Sequence, residues 1–193
     1  MDLILQLLKK YFIVEATKQM HGEIKLENIP LDDPKAYQLL CNLDVVGIFQ
    51  MDNLKISKPV LNKIQPKNIH EVAAVTALIR PGAGQVDNYI NAKNDSNLRV
   101  KVDPRIDRHL DSTYGVILFQ EQSMKILSTM LNITFGEADQ LRRYIEKGKK
   151  YPEQYKEFID TFVDKSIQNG FSKDVAEYML DTIIKSSGYG FNY

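Results

Sequence analysis

The chain lacks several features that mark large classes of proteins. It has one cysteine, Cys41, in 193 residues, so no disulfide can form within it, and a single thiol fits a reducing compartment. Cys41 lies in a helical pattern and is predicted to be a small core residue. No run of 18 apolar residues occurs, and the apolar N-terminal segment carries its lysines on the wrong side for a signal peptide. We therefore expect no membrane contact and a cytoplasmic location.

The chain also lacks net charge. Its 25 lysines and arginines equal its 25 aspartates and glutamates, which excludes the global positive field of a protein that coats DNA. Any contact with nucleic acid would have to come from local patches. Apolar residues make up 44% and charged residues 26%, as in ordinary globular proteins that bury a core.

Common catalytic motifs are missing as well. None of the three histidines has a cysteine, histidine or carboxylate at the spacing of metal ligands. No G-x-S-x-G elbow, no phosphate loop and no G-x-G-x-x-G motif occurs. The sequence therefore shows no self-contained active site.

Most of the chain carries the spacing of helices. Residues 45–51 and 113–119 are apolar runs that predict a short strand or a tight turn. Capping residues such as Asn68 and Ser172 mark helix starts. The predicted helices are 3–20, 34–42, 59–64, one that opens at Asn68, and then 136–147, 152–169 and 173–187. The fold class is mainly α with a few short strands.

A cluster of cations follows one predicted helix start. Thr134 with Glu137 three residues later is a capping box. Five cations then fall within nine residues, against one acid, Glu146; they are Arg142, Arg143, Lys147, Lys149 and Lys150. Arg143 and Lys147 are four apart, which places them on one helix face about 6 Å apart along the axis.

Two interpretations of this cluster compete. It can be a solvated helix face, with Glu146 pairing Arg142 or Arg143 and reducing its charge. It can also be a site for polyphosphate, the natural counter-charge of such a concentration of cations. Periodicity and charge alone do not decide between them.

Five segments in a fixed order carry a resemblance that covers nearly the whole chain. They are PLDDPKAYQLL, VVGIFQMDN, ALIRPGAG with VDNYI, STYGVILFQEQSMKI, and GEADQLRR with GYGFN. This series resembles the fingers region of the bacterial replicative DNA polymerase III alpha subunit, a C-family polymerase. The resemblance implies a helical fingers domain over 31–193, preceded by a connecting helix and linker over 1–30. Ala83, where the family has a second proline, is one departure.

The resemblance assigns roles to named residues. Arg142 and Arg143, supported by Lys147, match the family's L-R-R and are predicted to contact the triphosphate of the incoming nucleotide. Arg80 is the next candidate for a phosphate contact. The remaining candidates are supporting residues: Lys149 and Lys150 for charge, and Gln120, Glu121 and Gln122 as a polar network that positions their helix. For Tyr114 and Phe119, core packing is favoured over stacking on a base.

The resemblance also implies a metal. Asp2 matches the third metal-binding carboxylate of the polymerase palm, or it is only a helix cap near the terminus. The family's other two catalytic aspartates lie upstream of the matching region. We therefore expect Mg²⁺ to be held mainly outside this chain, and the chain alone not to polymerise DNA.

The implied partners are primer-template DNA, a deoxynucleoside triphosphate (dNTP) and a polymerase chain that bears the palm. The function expected from the resemblance is that of a fragment or split subunit of a replicative DNA polymerase. The alternative is a fingers-like module that binds DNA or protein and has no polymerase activity.

Overall fold

A computed structural model of the chain describes residues 14–20, 22, 25–79, 85–188 and 190–191. The chain forms two compact units, 1–33 and 34–193. In the first unit, residues 14–20 are helical and Leu26–Asn28 forms a 3₁₀ turn. The role of residues 1–30 as a connector stays a prediction.

The second unit is built from helices. They are α1 (Pro34–Cys41), α2 (Leu54–Ile64), α3 (Ile69–Leu78), α4 (Val86–Asn94), α5 (Pro104–Asp107), α6 (Gln120–Leu131), α7 (Phe135–Glu146), α8 (Pro152–Gln168) and α9 (Lys173–Ser187). Over the described residues, the extended pairing is one isolated parallel bridge between Phe119 and Phe191. The mainly α prediction is confirmed. No helix in the described part of the chain is both long and apolar enough to cross a membrane.

Side-chain caps start the helices where the sequence predicts them. The Asn68 side chain accepts a hydrogen bond from the Glu71 amide at 2.9 Å, and the Ser172 hydroxyl accepts one from the Val175 amide at 3.3 Å. Each cap satisfies an amide that has no partner inside its helix. The last two helices lie within one residue of their predicted ranges; α9 begins at the Ser172 cap, and α8 begins at Pro152 without a side-chain cap.

Helix α2 corrects one prediction. It begins at Leu54 and contains Pro59 in its interior, whereas the sequence predicts a start at Pro59. An interior proline loses one helical hydrogen bond. Two other interactions stabilise the helix: the Ser57 hydroxyl donates to the Met51 carbonyl at 2.7 Å, and α2 buries Val60 and other apolar side chains on one face. Packing therefore overrides the local signal.

The second unit contains two hydrophobic cores. The first is formed by residues of α1–α4 together with Leu118 and Phe119. The second is formed by residues of α5–α9. Cys41, predicted to be a core residue, is only half-buried beside the first core, and its thiol donates to the Pro66 carbonyl at 3.6 Å. Leu118 and Phe119, directly before α6, therefore belong to the first core, whereas Ile117 and α6 itself belong to the second.

The buried Gln122 side chain joins the two cores. Its oxygen accepts hydrogen bonds from the backbone amides of Leu118 at 2.9 Å and Phe119 at 3.0 Å. Its nitrogen donates to the Thr113 hydroxyl at 2.7 Å and to the His109 carbonyl at 3.3 Å. These four hydrogen bonds hold the start of α6 against the segment that precedes it.

A buried charge stabilises the first core. Glu71 forms an ion pair with Lys93 at 2.9 Å and accepts hydrogen bonds from the Tyr114 hydroxyl at 2.6 Å and the Lys67 amide at 2.7 Å. Burial alone raises the pKa of Glu71, but these hydrogen bonds and the Lys93 charge together hold it below its usual value of 4.5. The carboxylate is therefore ionised at neutral pH.

Tyr114 packs between the Tyr89 ring, at 5.4 Å between centroids, and the Arg99 guanidinium, 4.7 Å from the ring centroid. Phe119 is fully buried. Core packing is therefore confirmed for Phe119. Tyr114 is partly buried against the first core, and the choice between packing and base stacking stays a prediction for it. Gly115 follows with φ +89°, and a β-carbon there would lie 3.1 Å from the Val100 carbonyl oxygen. Only glycine fits this turn without strain.

We expect Glu71→Gln to lower the free energy of unfolding by about 3 kcal/mol at neutral pH, because it leaves the Lys93 charge without its partner. The pKa of Glu71 is lower in the folded than in the unfolded protein. Its contribution to the free energy of unfolding is therefore fully present above the unfolded-state pKa and is lost as the pH falls through the folded-state pKa. Urea denaturation at neutral and acidic pH should show the gap between the two proteins shrinking in acid. The control is Glu177→Gln, in an exposed pair with Lys173. A gap that does not change with pH would contradict this prediction.

We expect Gln122→Ala to lower the free energy of unfolding by about 2–3 kcal/mol, because two buried amides lose their acceptor. Gln140→Ala is the matched control, since Gln140 is an exposed helical glutamine whose side chain donates to the Tyr144 hydroxyl. Urea denaturation of both variants measures the difference. Equal losses would show that Gln122 does not hold the junction.

Candidate functional site

Helix α7 begins with the predicted capping box. The Thr134 hydroxyl accepts from the Glu137 amide at 3.3 Å, and the Glu137 carboxylate accepts from the Thr134 amide at 2.8 Å. The hydrogen bonds from the Thr134 hydroxyl and amide lower the pKa of Glu137. This start fixes the register of the helix and therefore which faces its arginines occupy.

Arg142 is held within the protein by two carboxylates. Its side chain is 13% exposed and donates to Asp139 at 2.9 and 3.1 Å and to Glu146 at 2.7 Å. The expectation that Glu146 can pair with an arginine is confirmed for Arg142. These hydrogen bonds of Arg142 all run to residues of its own helix, α7.

Arg143 is the more available of the two arginines. Its side chain is 62% exposed and forms one ion pair, with Asp139 at 2.8 Å. Asp139 thus accepts from both arginines, and the hydrogen bonds from Arg142, followed by those from Arg143, lower its pKa below the usual value. Sequence reasoning missed Asp139, although its positions relative to the arginines (three and four residues before them) are those of helical ion pairs.

Both arginines line a cleft of about 510 Å³ between α6 and α7, which we call the α6–α7 cleft. Its other lining residues are Gln120, Glu121 and Met124 on α6 and Phe135, Gly136 and Asp139 on α7. Two arginines face two acids, so the formal charge of the lining cancels. An anion in this cleft would have to compete with Asp139 for Arg143.

The predicted lysines lie beyond the helix. Helix α7 ends at Glu146, and Lys147 is its C-cap, with its amide bonded to the Arg143 carbonyl at 3.0 Å. That bond runs to the residue four positions earlier, so helical spacing extends to Lys147, and the shared face of Arg143 and Lys147 stays a prediction. Lys147, Lys149 and Lys150 are exposed in the turn of residues 147–150. None of the ion pairs between described residues involves these three lysines.

The start of α6 is paired with the end of the chain. The Gln120 amide donates to the Phe191 carbonyl at 2.8 Å, and the Phe191 amide donates to the Leu118 carbonyl at 3.0 Å. The Gln120 side chain adds a bond to the Gly190 carbonyl at 3.2 Å. Tertiary structure thus brings the fourth sequence segment together with Gly190 and Phe191 beside the cleft.

The family model of the bacterial DNA polymerase III alpha subunit finger domain matches residues 5–170. The chain belongs to this family. It is 35% identical over 180 residues to the DNA polymerase III subunit alpha of Staphylococcus aureus strains Mu50 and N315. It is 35% identical over 181 residues to that of Staphylococcus epidermidis. These matches cover 93% of the chain, which spans only 17% of the length of the curated relatives.

Two predicted site residues of this finger domain, Asp2 and Arg80, lie outside the described residues, and their roles stay predictions. In the ranges that the structure describes, no group of three or more His, Cys, Asp or Glu side chains could hold a metal ion. The exposed Arg143 guanidinium at the α6–α7 cleft is a group suited to binding an anion.

We expect Arg142→Ala to lower the free energy of unfolding by about 1–2 kcal/mol, because it removes hydrogen bonds between charged, partly buried groups. Arg143→Ala serves as the matched variant, and its loss should stay below about 0.5 kcal/mol because its pair is exposed. Urea denaturation of the two variants checks the difference. Equal losses in the free energy of unfolding for the two variants would contradict the conclusion that Arg142 stabilises the fold while Arg143 does not.

Proposed function

We propose that this finger domain supplies a replicative DNA polymerase with the positive charge that binds the triphosphate of an incoming dNTP beside primer-template DNA. The observation that carries the proposal is the exposed Arg143 guanidinium at the α6–α7 cleft, followed by three lysines without ion pairs to described residues. From Asp139 to Lys150, five cations face two acids, which leaves a surplus of three positive charges.

Arg143 suits this role because a guanidinium donates two parallel hydrogen bonds to phosphate oxygens and keeps its charge. Arg142 acts through Asp139 in this proposal. By sharing that carboxylate, it keeps the Arg143 side chain at the mouth of the cleft. The sequence-based assignment of both arginines as direct contacts is therefore narrowed to Arg143, with Lys147, Lys149 and Lys150 in support.

A competing explanation for the lysines is local. Cations at the C-terminal end of a helix interact favourably with its dipole, and α7 ends where these lysines begin. That effect falls off within one turn and needs no exposed arginine at a cleft. The two explanations differ in whether loss of Arg143 changes nucleotide binding.

We expect Arg143→Ala to weaken dNTP binding about tenfold, the equivalent of roughly 1.4 kcal/mol. Calorimetric titration of the 193-residue chain with a dNTP, at low and moderate salt, measures this change. The matched control is Arg108→Ala, which removes an exposed arginine that does not line the α6–α7 cleft. Because Arg143→Ala should keep its stability, a loss of binding cannot be attributed to unfolding. Indistinguishable affinities for the two variants would overturn the proposal.

A further inference from the structure

A cavity of about 450 Å³ is lined by residues of both α4 and α9, and we call it the α4–α9 cleft. The wall from α4 carries Asn88 and Asn91, with Gln85 at the N-cap of the helix. The wall from α9 carries Tyr178 and Thr182. Helix α4 packs in the first core and α9 in the second, so the cleft lies where the two cores meet. It shares no lining residue with the α6–α7 cleft.

The described lining of the α4–α9 cleft has no surplus charge. Its one acid, Asp181, and its one cation, Lys185, pair with each other at 2.7 Å. The neighbouring Arg99 packs its guanidinium on the Tyr114 ring and donates to the Ala92 carbonyl at 2.8 Å. Binding of nucleic acid depends on cations that neutralise phosphates, and the described lining offers a phosphate no unpaired cation. The charge of this cleft therefore favours an uncharged polar ligand over DNA or a nucleotide.

The α4 wall offers three carboxamides, which belong to Gln85, Asn88 and Asn91. Each carboxamide has an oxygen that accepts hydrogen bonds and a nitrogen that donates them. The Asn88 nitrogen donates to the Gln85 oxygen at 3.1 Å. The Asn91 side chain is exposed and forms no hydrogen bond with other described residues. A peptide group also has one donor and one acceptor, so a carboxamide can form both hydrogen bonds with it.

The segment before α6 adds a backbone donor to the cleft. Val116 and Ile117 line the cleft in a stretch that is neither helix nor paired strand. Ile117 is only 5% exposed, yet within the described residues its amide donates no hydrogen bond. A buried amide without a partner costs free energy, and nearly all such amides in folded proteins are paired. A carbonyl oxygen that entered the cleft would supply the acceptor.

Exposed apolar side chains and the length of the walls indicate the shape of the ligand. Leu98, Val100 and Tyr178 line the cleft and are between 43% and 57% exposed. The α9 wall extends from Tyr178 to Lys185, which is about 10 Å along the helix axis. An extended chain advances about 3.3 Å per residue. The α9 wall therefore matches about three residues of an extended peptide.

We propose that the α4–α9 cleft binds a short, uncharged, extended segment of a partner protein with an aliphatic side chain at its centre. The peptide groups of the segment bond the Asn91 carboxamide and the Ile117 amide, and its aliphatic side chain contacts Leu98 and Val100. Main-chain hydrogen bonds combined with contacts to alternate side chains are a recurring way to bind extended peptides. The proposal goes beyond the proposed nucleotide function, because both the site and the chemistry of the ligand differ.

The test is an NMR titration of the ¹⁵N-labelled 193-residue chain with the capped peptide acetyl-Gly-Ala-Leu-Ala-Gly-amide, up to millimolar concentration. We expect saturable shifts of the Ile117 backbone amide and the Asn91 side-chain amide. A copy of the peptide that is N-methylated at its alanines and leucine lacks those backbone donors, so it should bind at least about fivefold more weakly. The absence of saturable shifts would overturn the proposal. Equal affinity of the two peptides would overturn recognition through the backbone.

The carboxamide contact is tested by substitution in the same titration. Asn91→Ala should weaken peptide binding about fivefold, because the hydrogen bonds of one carboxamide are lost. The matched control is Asn94→Ala, which removes an exposed asparagine of the same helix that does not line the cleft. Equal affinities of the two variants for the peptide would overturn this contact. Melting temperatures establish that both variants are folded, since both side chains are exposed.

The nucleotide proposal and the peptide proposal fail separately. Asn91→Ala should bind dNTP as the unmodified protein does, and Arg143→Ala should keep its affinity for the peptide. The salt dependence of peptide binding should be small, because no phosphate or other charged group is bound. If a dNTP or oligothymidylate displaced the peptide by competition, a nucleotide or DNA would be the occupant of the α4–α9 cleft and the peptide proposal would be overturned.

Discussion

The Gln122 carboxamide is the interaction on which the arrangement of the second unit depends. It joins a segment packed in the first core to a helix packed in the second, through four hydrogen bonds that no apolar side chain could make. A buried amide or hydroxyl without a hydrogen-bond partner costs free energy. Separating the two cores at this point would leave the Gln122 carboxamide and its backbone partners without hydrogen bonds. Helix α6 is thereby set in place, and α7 packs along it.

The position of α6 and α7 determines what the cationic segment can do. Five cations close in sequence do not act as five equivalent charges. Arg142 forms ion pairs with Asp139 and Glu146 and is mostly buried. Arg143 also forms an ion pair with Asp139, but its side chain remains mostly exposed. The lysines fall in the turn after the helix. Of the two arginines that line the α6–α7 cleft, Arg143 is therefore the one whose side chain remains open to solvent.

Local signals predicted much of the fold. Asn68, Thr134 and Ser172 cap helices as their sequence contexts indicate, because a capping side chain needs only the backbone amides two or three residues ahead. Pro59 misled the prediction of α2, since local rules place a proline near a helix start. The burial of the inner face of α2 depends on contacts with other helices, and the observed helix begins at Leu54, five residues before that proline.

The sequence by itself determined the family, the helical class and the helix ends that short-range hydrogen bonds specify. It also contained the ion pairs of Asp139, since residues three and four apart on a helix are neighbours whatever the rest of the chain does. Only the tertiary structure decided which arginine is covered and which is exposed, and that Glu71 meets Lys93 and Tyr114. These outcomes depend on contacts between residues far apart in the chain, and burial changes the free energy of a charge far more than its sequence neighbours can.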